Sequence, residues 1–230
     1  MKQITPETLY DFQFVSNPRF SPDGKHLAFI VQQADKENNA YKGDLYLLSD
    51  NGPLRLTAMG DAKSMAWTPD NTLLFPAVRS DKEKKMQESG EFFTSFYEIS
   101  PAGGEARHAF TLPCRVLQLR HLCGTRYVCL VSYDAVQPAL EAMEEPERAK
   151  KLKELSKPLY HTFEDLPFWS NGNGIVAGKR NRLFVYDRAD ESFTAVTGME
   201  QDVTCFDCGE GQLLYCAVSH TGLRSLDNGI

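Results

Sequence analysis

Several things are scarce in this 230-residue chain. No apolar run approaches the roughly 20 residues that a helix needs to span a bilayer, so no membrane partner is expected. A cationic surplus is also missing. The 25 Lys and Arg stand against 31 Asp and Glu, for a net charge of −6, and a phosphate-binding surface needs the opposite balance, so no nucleic-acid partner is expected. The opening Met1-Lys2-Gln3-Ile4-Thr5-Pro6-Glu7 has nothing like a secretory apolar stretch. The expected setting is therefore soluble and cytoplasmic.

Cysteine is sparse too, at six residues. Cys114, Cys129, Cys205 and Cys216 fall in predicted strands and Cys123 and Cys208 in hairpin turns, which suits small buried hydrophobes in a reducing compartment. Cys205-Phe206-Asp207-Cys208 has C-x-x-C form, but no second pair or suitably spaced His completes a zinc set. Neither a metal nor a cofactor is expected.

What the chain does have is material for a core, 42% hydrophobic against 24% charged, and a repeat. Arg19-Phe20-Ser21-Pro22-Asp23-Gly24-Lys25-His26-Leu27-Ala28-Phe29-Ile30-Val31 holds a tight turn at Ser21 to Gly24, where Pro22 pre-sets φ and Gly24 takes positive φ without strain. The returning strand is apolar on both faces, Leu27, Phe29 and Val31 on one and Ala28 and Ile30 on the other, and so is expected to be covered on both sides. Trp67-Thr68-Pro69-Asp70-Asn71 repeats the turn, with Asn71 at the left-handed position. Weaker copies start at Leu119 and Phe206. Phe20, Trp67, Leu119 and Phe206 are separated by steps of 47, 52 and 87 residues.

Self-similarity at about 40 to 50 residues, with several short strands per unit, is the mark of a β-propeller. The expected fold class is all-β, a partial β-propeller of about three and a half four-stranded blades with a helical insertion in the third. Blade 1 is expected over about 11–58, blade 2 over about 62–112, and blade 3 over about 114–198 with its insertion at 134–180; blade 4 begins over about 202–230. Within blade 1, Phe14 to Phe20, His26 to Gln32, Asp44 to Leu48 and Leu54 to Thr57 read as strands, with a turn at Ser49-Asp50-Asn51-Gly52. Propellers have about four to eight blades, so this number does not close a ring. The chain is thus expected to be the N-terminal piece of a longer protein.

The segments Gln33 to Lys42 and Arg79 to Glu91 carry mixed charge and read as solvated loops. In the insertion, Pro138 to Lys157 favours helix, with Pro146 restarting it, Ala149, Leu152 and Leu155 as a narrow apolar stripe, and Glu147 to Lys151 as an i,i+4 pair. Such a helix serves as a lid or packs on its own blade. Asp165-Leu166-Pro167-Phe168-Trp169-Ser170-Asn171-Gly172-Asn173-Gly174 reads as a rigid turn whose aromatics pack on, or recognise, something.

Phe20-Ser21-Pro22-Asp23-Gly24, preceded by Thr5-Pro6-Glu7 and Val15-Ser16-Asn17-Pro18-Arg19, resembles the start of the propeller domain of the prolyl oligopeptidase family of serine peptidases. Leu166 to Gly174, ending near Arg182-Leu183-Phe184-Val185-Tyr186, is similar to the third-blade region of its acylaminoacyl-peptidase branch. The resemblance covers essentially the whole chain. It implies a two-domain enzyme, a propeller of about seven or eight blades covering a C-terminal α/β-hydrolase domain whose Ser, Asp, His triad cleaves short peptides. That triad needs a Ser on a strained strand-to-helix turn, and no Gly-x-Ser-x-Gly occurs in this chain. The hydrolase domain is expected outside it, and no residue here is given a catalytic role.

For substrate selection the resemblance singles out two pairs. Some relatives hold a peptide's amino terminus with paired glutamates, which points to Glu144 and Glu145. Phe168 and Trp169 are candidates for lining the interdomain cavity or for packing between blades. The expected function is that of a non-catalytic propeller that gates and selects peptide substrates for an acylaminoacyl-peptidase-like or dipeptidyl-peptidase-like enzyme. The alternative is a propeller scaffold for protein–protein interaction with no hydrolase attached. Exposed strand edges would also let two copies pair as a homo-oligomer.

Overall fold

The computed structural model describes residues 4–49, 52–156, 158–163, 166, 168–171, 174–221 and 223–224. Asp50 and Asn51 of the first expected outer turn lie outside the described residues, as do Lys157, Asp165, Pro167, Gly172, Asn173 and the stretch 225–230. The chain divides into two compact units, Met1–Val78 with Ser95–Thr111, and Arg79–Thr94 with Leu112–Ile230.

A short 3-10 helix, Pro6–Asp11, opens the first unit, with Thr8 Oγ1 accepting from the Thr5 N–H at 3.0 Å. Its first sheet is an antiparallel run in chain order, β1 (Gln13–Phe20), β2 (Leu27–Asp35), β3 (Ala40–Ser49) and β4 (Gly52–Arg55). The turn before β2 forms as its residues dictate. Gly24 has φ +71 and donates to the Ser21 carbonyl at 2.9 Å, while Asp23 Oδ1 accepts from Ser21 Oγ and the Lys25 N–H. The polar stretch Gln33 to Lys42 is largely strand, not loop, because β2 and β3 pair onward to Asp35 and Ala40. Lys42 Nζ lies 2.7 Å from Asp35 at that end.

The second sheet, β5 (Ala66–Trp67), β6 (Leu73–Pro76), β7 (Thr94–Ile99) and β8 (Arg107–Leu112), repeats the order. Asn71 takes the left-handed φ of +57 that Gly24 takes in the first turn. The two turns touch: Trp67 Nε1 donates to the Arg19 carbonyl at 3.0 Å, and Asn71 Oδ1 accepts from the Asp23 N–H at 3.2 Å. Between the sheets, Ala28, Ile30, Leu45 and Leu47 meet Ala62, Trp67, Leu73 and Phe75 in one buried cluster. Full burial of side chains such as Ile30, Leu45 and Phe75 is worth about 1.5–3 kcal/mol each. β1, by contrast, lies at the sheet edge with Val15 and Phe20 exposed.

In the second unit, β9 (Arg115–Cys123), β10 (Arg126–Asp134), β13 (Lys179–Asp187) and β14 (Phe193–Ala195) form a four-stranded sheet in the order β14-β13-β10-β9. Between β10 and β13 run two helices and the two-stranded pair β11 (Trp169–Ser170) and β12 (Gly174–Ile175). A further sheet follows, β15 (Gln201–Gly209), β16 (Gln212–Thr221) and β17 (Leu223–Arg224). Leu122, Val128 and Leu183 pack on Val203, Phe206 and Ala217. The Leu119 and Phe206 repeats thus meet as the first two do, with Arg120 over the Phe206 ring and paired to Asp207.

The second unit also corrects the loop reading of one charged segment. Arg79 to Glu91 holds an α-helix, α1 (Asp81–Glu88), begun by a reciprocal cap in which Ser80 Oγ accepts from the Glu83 N–H and buried Glu83 accepts from the Ser80 and Arg79 N–H groups at 2.8 Å. The helix expected with a restart at Pro146 forms as two pieces, α2 (Gln137–Glu141) and α3 (Glu147–Ser156), with Ala142 to Pro146 outside either. Of its stripe only Leu152 is buried, and Lys151 stands 3.5 Å from Glu154.

Candidate functional site

Strand alternation puts Tyr133 of β10 and Phe184 of β13 on one face of their sheet, away from the packed face that holds Val128 and Leu183. Their rings stack at 6.0 Å, and Phe184 stacks on Phe193 at 4.6 Å and 6°. This aromatic wall faces α2. The helix starts where Asp134 Oδ1 accepts from the Val136 N–H and Gln137 Oε1 accepts from the Asp134 N–H at 3.0 Å, which buries Gln137 and Leu140. Wall and helix enclose a cleft of about 430 Å³, lined by Phe92, Cys114, Tyr133, Leu140, Glu141 and Arg148 among others. A second cleft, of about 540 Å³, opens on Tyr133, Asp134, Thr162, Arg180 and Met199.

The charged groups of these clefts are mostly committed. Arg148 makes a two-pronged contact with Glu91, with Nη1 to Oε1 at 2.6 Å, and also lies 3.7 Å from Glu145. The hydrogen bond to Glu91 holds its guanidinium in the charged form. Burial, with a smaller contribution from Glu141, pushes the Cys114 thiol up to about 12, so it stands as a protonated apolar group. Buried Arg182 lies against both rings, 4.7 Å from the Tyr133 centroid and 5.0 Å from that of Phe184, donates to the Thr197 carbonyl at 2.5 Å, and has its Nε unmatched. Desolvation lowers its pKa. Such a setting suits a flat or apolar group held between aromatic faces.

The four residues expected at a substrate site are all exposed. Glu144 is exposed, and Glu145 leans on Arg148. Phe168 and Trp169 are 41% and 56% exposed; Phe168 stacks on Phe163 at 4.5 Å, and His161 extends that stack at 6.0 Å. None of the four lines either cleft. The residues that sequence reasoning missed are the aromatic wall and its ion pair. Nothing local marks Tyr133, Phe184 and Phe193 as a wall, or Glu91 as a partner 57 residues from Arg148.

The antiparallel sheets place the chain in the mostly-β class, and its fold matches that of the propeller portion of peptidases. Two solved acylaminoacyl peptidases carry the likeness. One, in complex with Z-Gly-Gly-Phe-chloromethyl ketone, aligns at a TM-score of 0.57 and 13% identity over 95% of this chain and 30% of its own. The other, the uncomplexed enzyme of Pyrococcus horikoshii, aligns at 0.58 and 13% over 94% of this chain and 30% of its own. In sequence, the uncharacterized peptidase YuxL of Bacillus subtilis (strain 168) is 27% identical over 115 residues, 49% of this chain and 16% of that protein. No family model matches the chain. It therefore spans well under half the length of these relatives, and no helix among the described residues is long and apolar enough to cross a membrane.

Proposed function

We propose that the chain is the non-catalytic propeller portion of a serine peptidase of the prolyl oligopeptidase family, acylaminoacyl-peptidase-like, and that it gates and selects short peptides for an α/β-hydrolase domain lying outside these 230 residues. The observation that carries the reading is the pattern of coverage: nearly all of this chain aligns with less than a third of the solved peptidases. On this reading the sheets β1–β4, β5–β8, β9–β10–β13–β14 and β15–β17 are successive blades, and the connection between β10 and β13 is the third-blade insertion. The peptide-facing groups are drawn from Phe168, Trp169, Glu144 and Glu145, and from the aromatic clefts beside α2.

A scaffold for protein partners is the competing reading, favoured by the exposed apolar side chains of Leu159, Tyr160, Leu166, Phe168 and Trp169. Activity-based labelling separates the two. The full-length protein treated with a fluorophosphonate should acquire one covalent label on a serine outside this segment and should release the amino-terminal residue from short acylated peptides. A full-length protein that takes up no label and cleaves no such peptide would leave the scaffold reading standing.

A further inference from the structure

The C-x-x-C at Cys205 and Cys208 looks like a pair in sequence, yet strand alternation sends its two side chains to opposite faces of β15. Cys208 and Phe206 turn toward the packed cluster, and Cys205 is exposed. The true neighbour of Cys205 is Cys216, its directly opposed partner in the antiparallel β15–β16 ladder. A register shift between Val203 and Cys205 creates that opposition, and Thr204 Oγ1 donates to the Cys216 carbonyl at 3.2 Å beside it.

Directly opposed residues of an antiparallel pair have Cα atoms about 4.5 or 5.5 Å apart, and both spacings fall inside the roughly 4.4–6.8 Å that a disulfide accepts. The backbone therefore needs little movement to bring the two sulfurs into bonding distance. We propose that Cys205 and Cys216 form an oxidative modification site, closing to a cross-strand disulfide in the presence of a peroxide. The Cys205 side chain beside it raises the pKa of the Cys216 thiol. Cys205 is exposed and lies on the edge strand, whereas Cys216 is half-buried on the middle strand, so Cys205 is the group that meets oxidant first. The other four cysteines lack this arrangement. Cys114 and Cys129 are buried, and Cys123 and Cys208 sit opposite Arg126 and Leu213.

The chemistry balances without a metal. Cys205 sulfur attacks one peroxide oxygen, the O–O bond breaks, and the thiol proton leaves with the other oxygen as water, giving a sulfenic acid. Cys216 sulfur then attacks Cys205 sulfur, an S–S bond forms as the S–O bond breaks, and the departing hydroxide takes the Cys216 proton as water. Two thiols lose two electrons in total, and one peroxide is reduced to two waters.

The test uses the protein that carries this sequence, folded, reduced and freed of reductant. It is exposed to hydrogen peroxide, capped with N-ethylmaleimide, digested without reduction by a glutamate-specific protease, and mapped by mass. Cleavage after Glu210 separates the two cysteines. The expected product is a peptide pair two hydrogens lighter than its parts, joined through Cys205 and Cys216, with loss of two of this segment's six free thiols and full reversal by dithiothreitol. Cys216→Ser should leave a dimedone-trappable sulfenic acid on Cys205, Cys205→Ser should give no cross-link, and Cys208→Ser should cross-link as the parent does. Linkage of Cys205 to Cys208, Cys123 or a second molecule overturns the proposal. So does sulfinic acid at Cys205 while Cys216 remains free.

Discussion

Replacing Gly43 by alanine tests how the first unit is held together. Gly43 lies mid-strand in β3, where the connection from β4 to β5 runs against it. Its N–H donates to the Gly60 carbonyl at 3.0 Å, and its own carbonyl accepts from the Ala62 N–H at 2.9 Å. A Cβ added there would stand 2.3 Å from the Ala62 carbonyl oxygen, a backbone atom that no rotamer change can move. The connection must retreat, which stretches both hydrogen bonds, each worth about 1 kcal/mol net. It also disturbs Ala62, fully buried in the cluster around Ile30 and Leu45. Overpacking of this kind costs about 1–3 kcal/mol, so Gly43→Ala is expected to lose about 2–4 kcal/mol in all. Urea unfolding should show this as a lower midpoint at unchanged slope. Gly209→Ala is the control: a Cβ there meets nothing within 4 Å, and the change should be neutral or stabilising by up to about 1 kcal/mol. If Gly43→Ala costs no more than this control, the close approach is not what fixes β3 against the connection.

Arg148→Met should loosen α3 from the residues after α1 at a cost of about 1–2 kcal/mol, the range for charge-assisted hydrogen bonds discounted for partial exposure. A cycle with Glu91→Gln should show most of that cost as coupling. Asp35 is held at about 2 by hydrogen bonds from Asn38 and Lys42, below its unfolded value of about 3.9. Its contribution is therefore present above about pH 4 and is lost as pH falls through 2. Asp35→Asn should flatten the acid limb of a stability–pH curve in that window and leave the neutral region's slope alone; an unchanged acid limb would contradict the assignment. Phe168→Ala with Trp169→Ala, made in the full-length protein, should shift peptide selectivity more than melting temperature, because both side chains are largely exposed. A large drop in melting temperature with selectivity intact would make them packing residues instead.

Much of the fold was legible because its signals are short-range. Pro22, Gly24 and Asn71 specify turns through φ preferences that operate within four residues, and the apolar strands that follow them pair where the repeat places them. The helix α1 was misread as a loop, although the Ser80-x-x-Glu83 cap marks its start. Its mixed charges gave the opposite impression, because a solvated helix and a solvated loop share a composition. The candidate clefts were not legible. The wall made by Tyr133 and Phe184 depends on which sheet face meets α2.

The sequence by itself determined the turns, the strand alternation and the repeat, since each follows from the conformational preferences of neighbouring residues. Only the tertiary structure decided that Phe14, Val15 and Phe20 of β1 lie exposed at their sheet edge while Ala28 and Ile30 of β2 are buried, that Gly43 faces Ala62, that Arg148 finds Glu91, and that Cys205 opposes Cys216 and not Cys208. Those outcomes depend on register and on burial by segments up to 57 residues away, distances over which local preference has no reach.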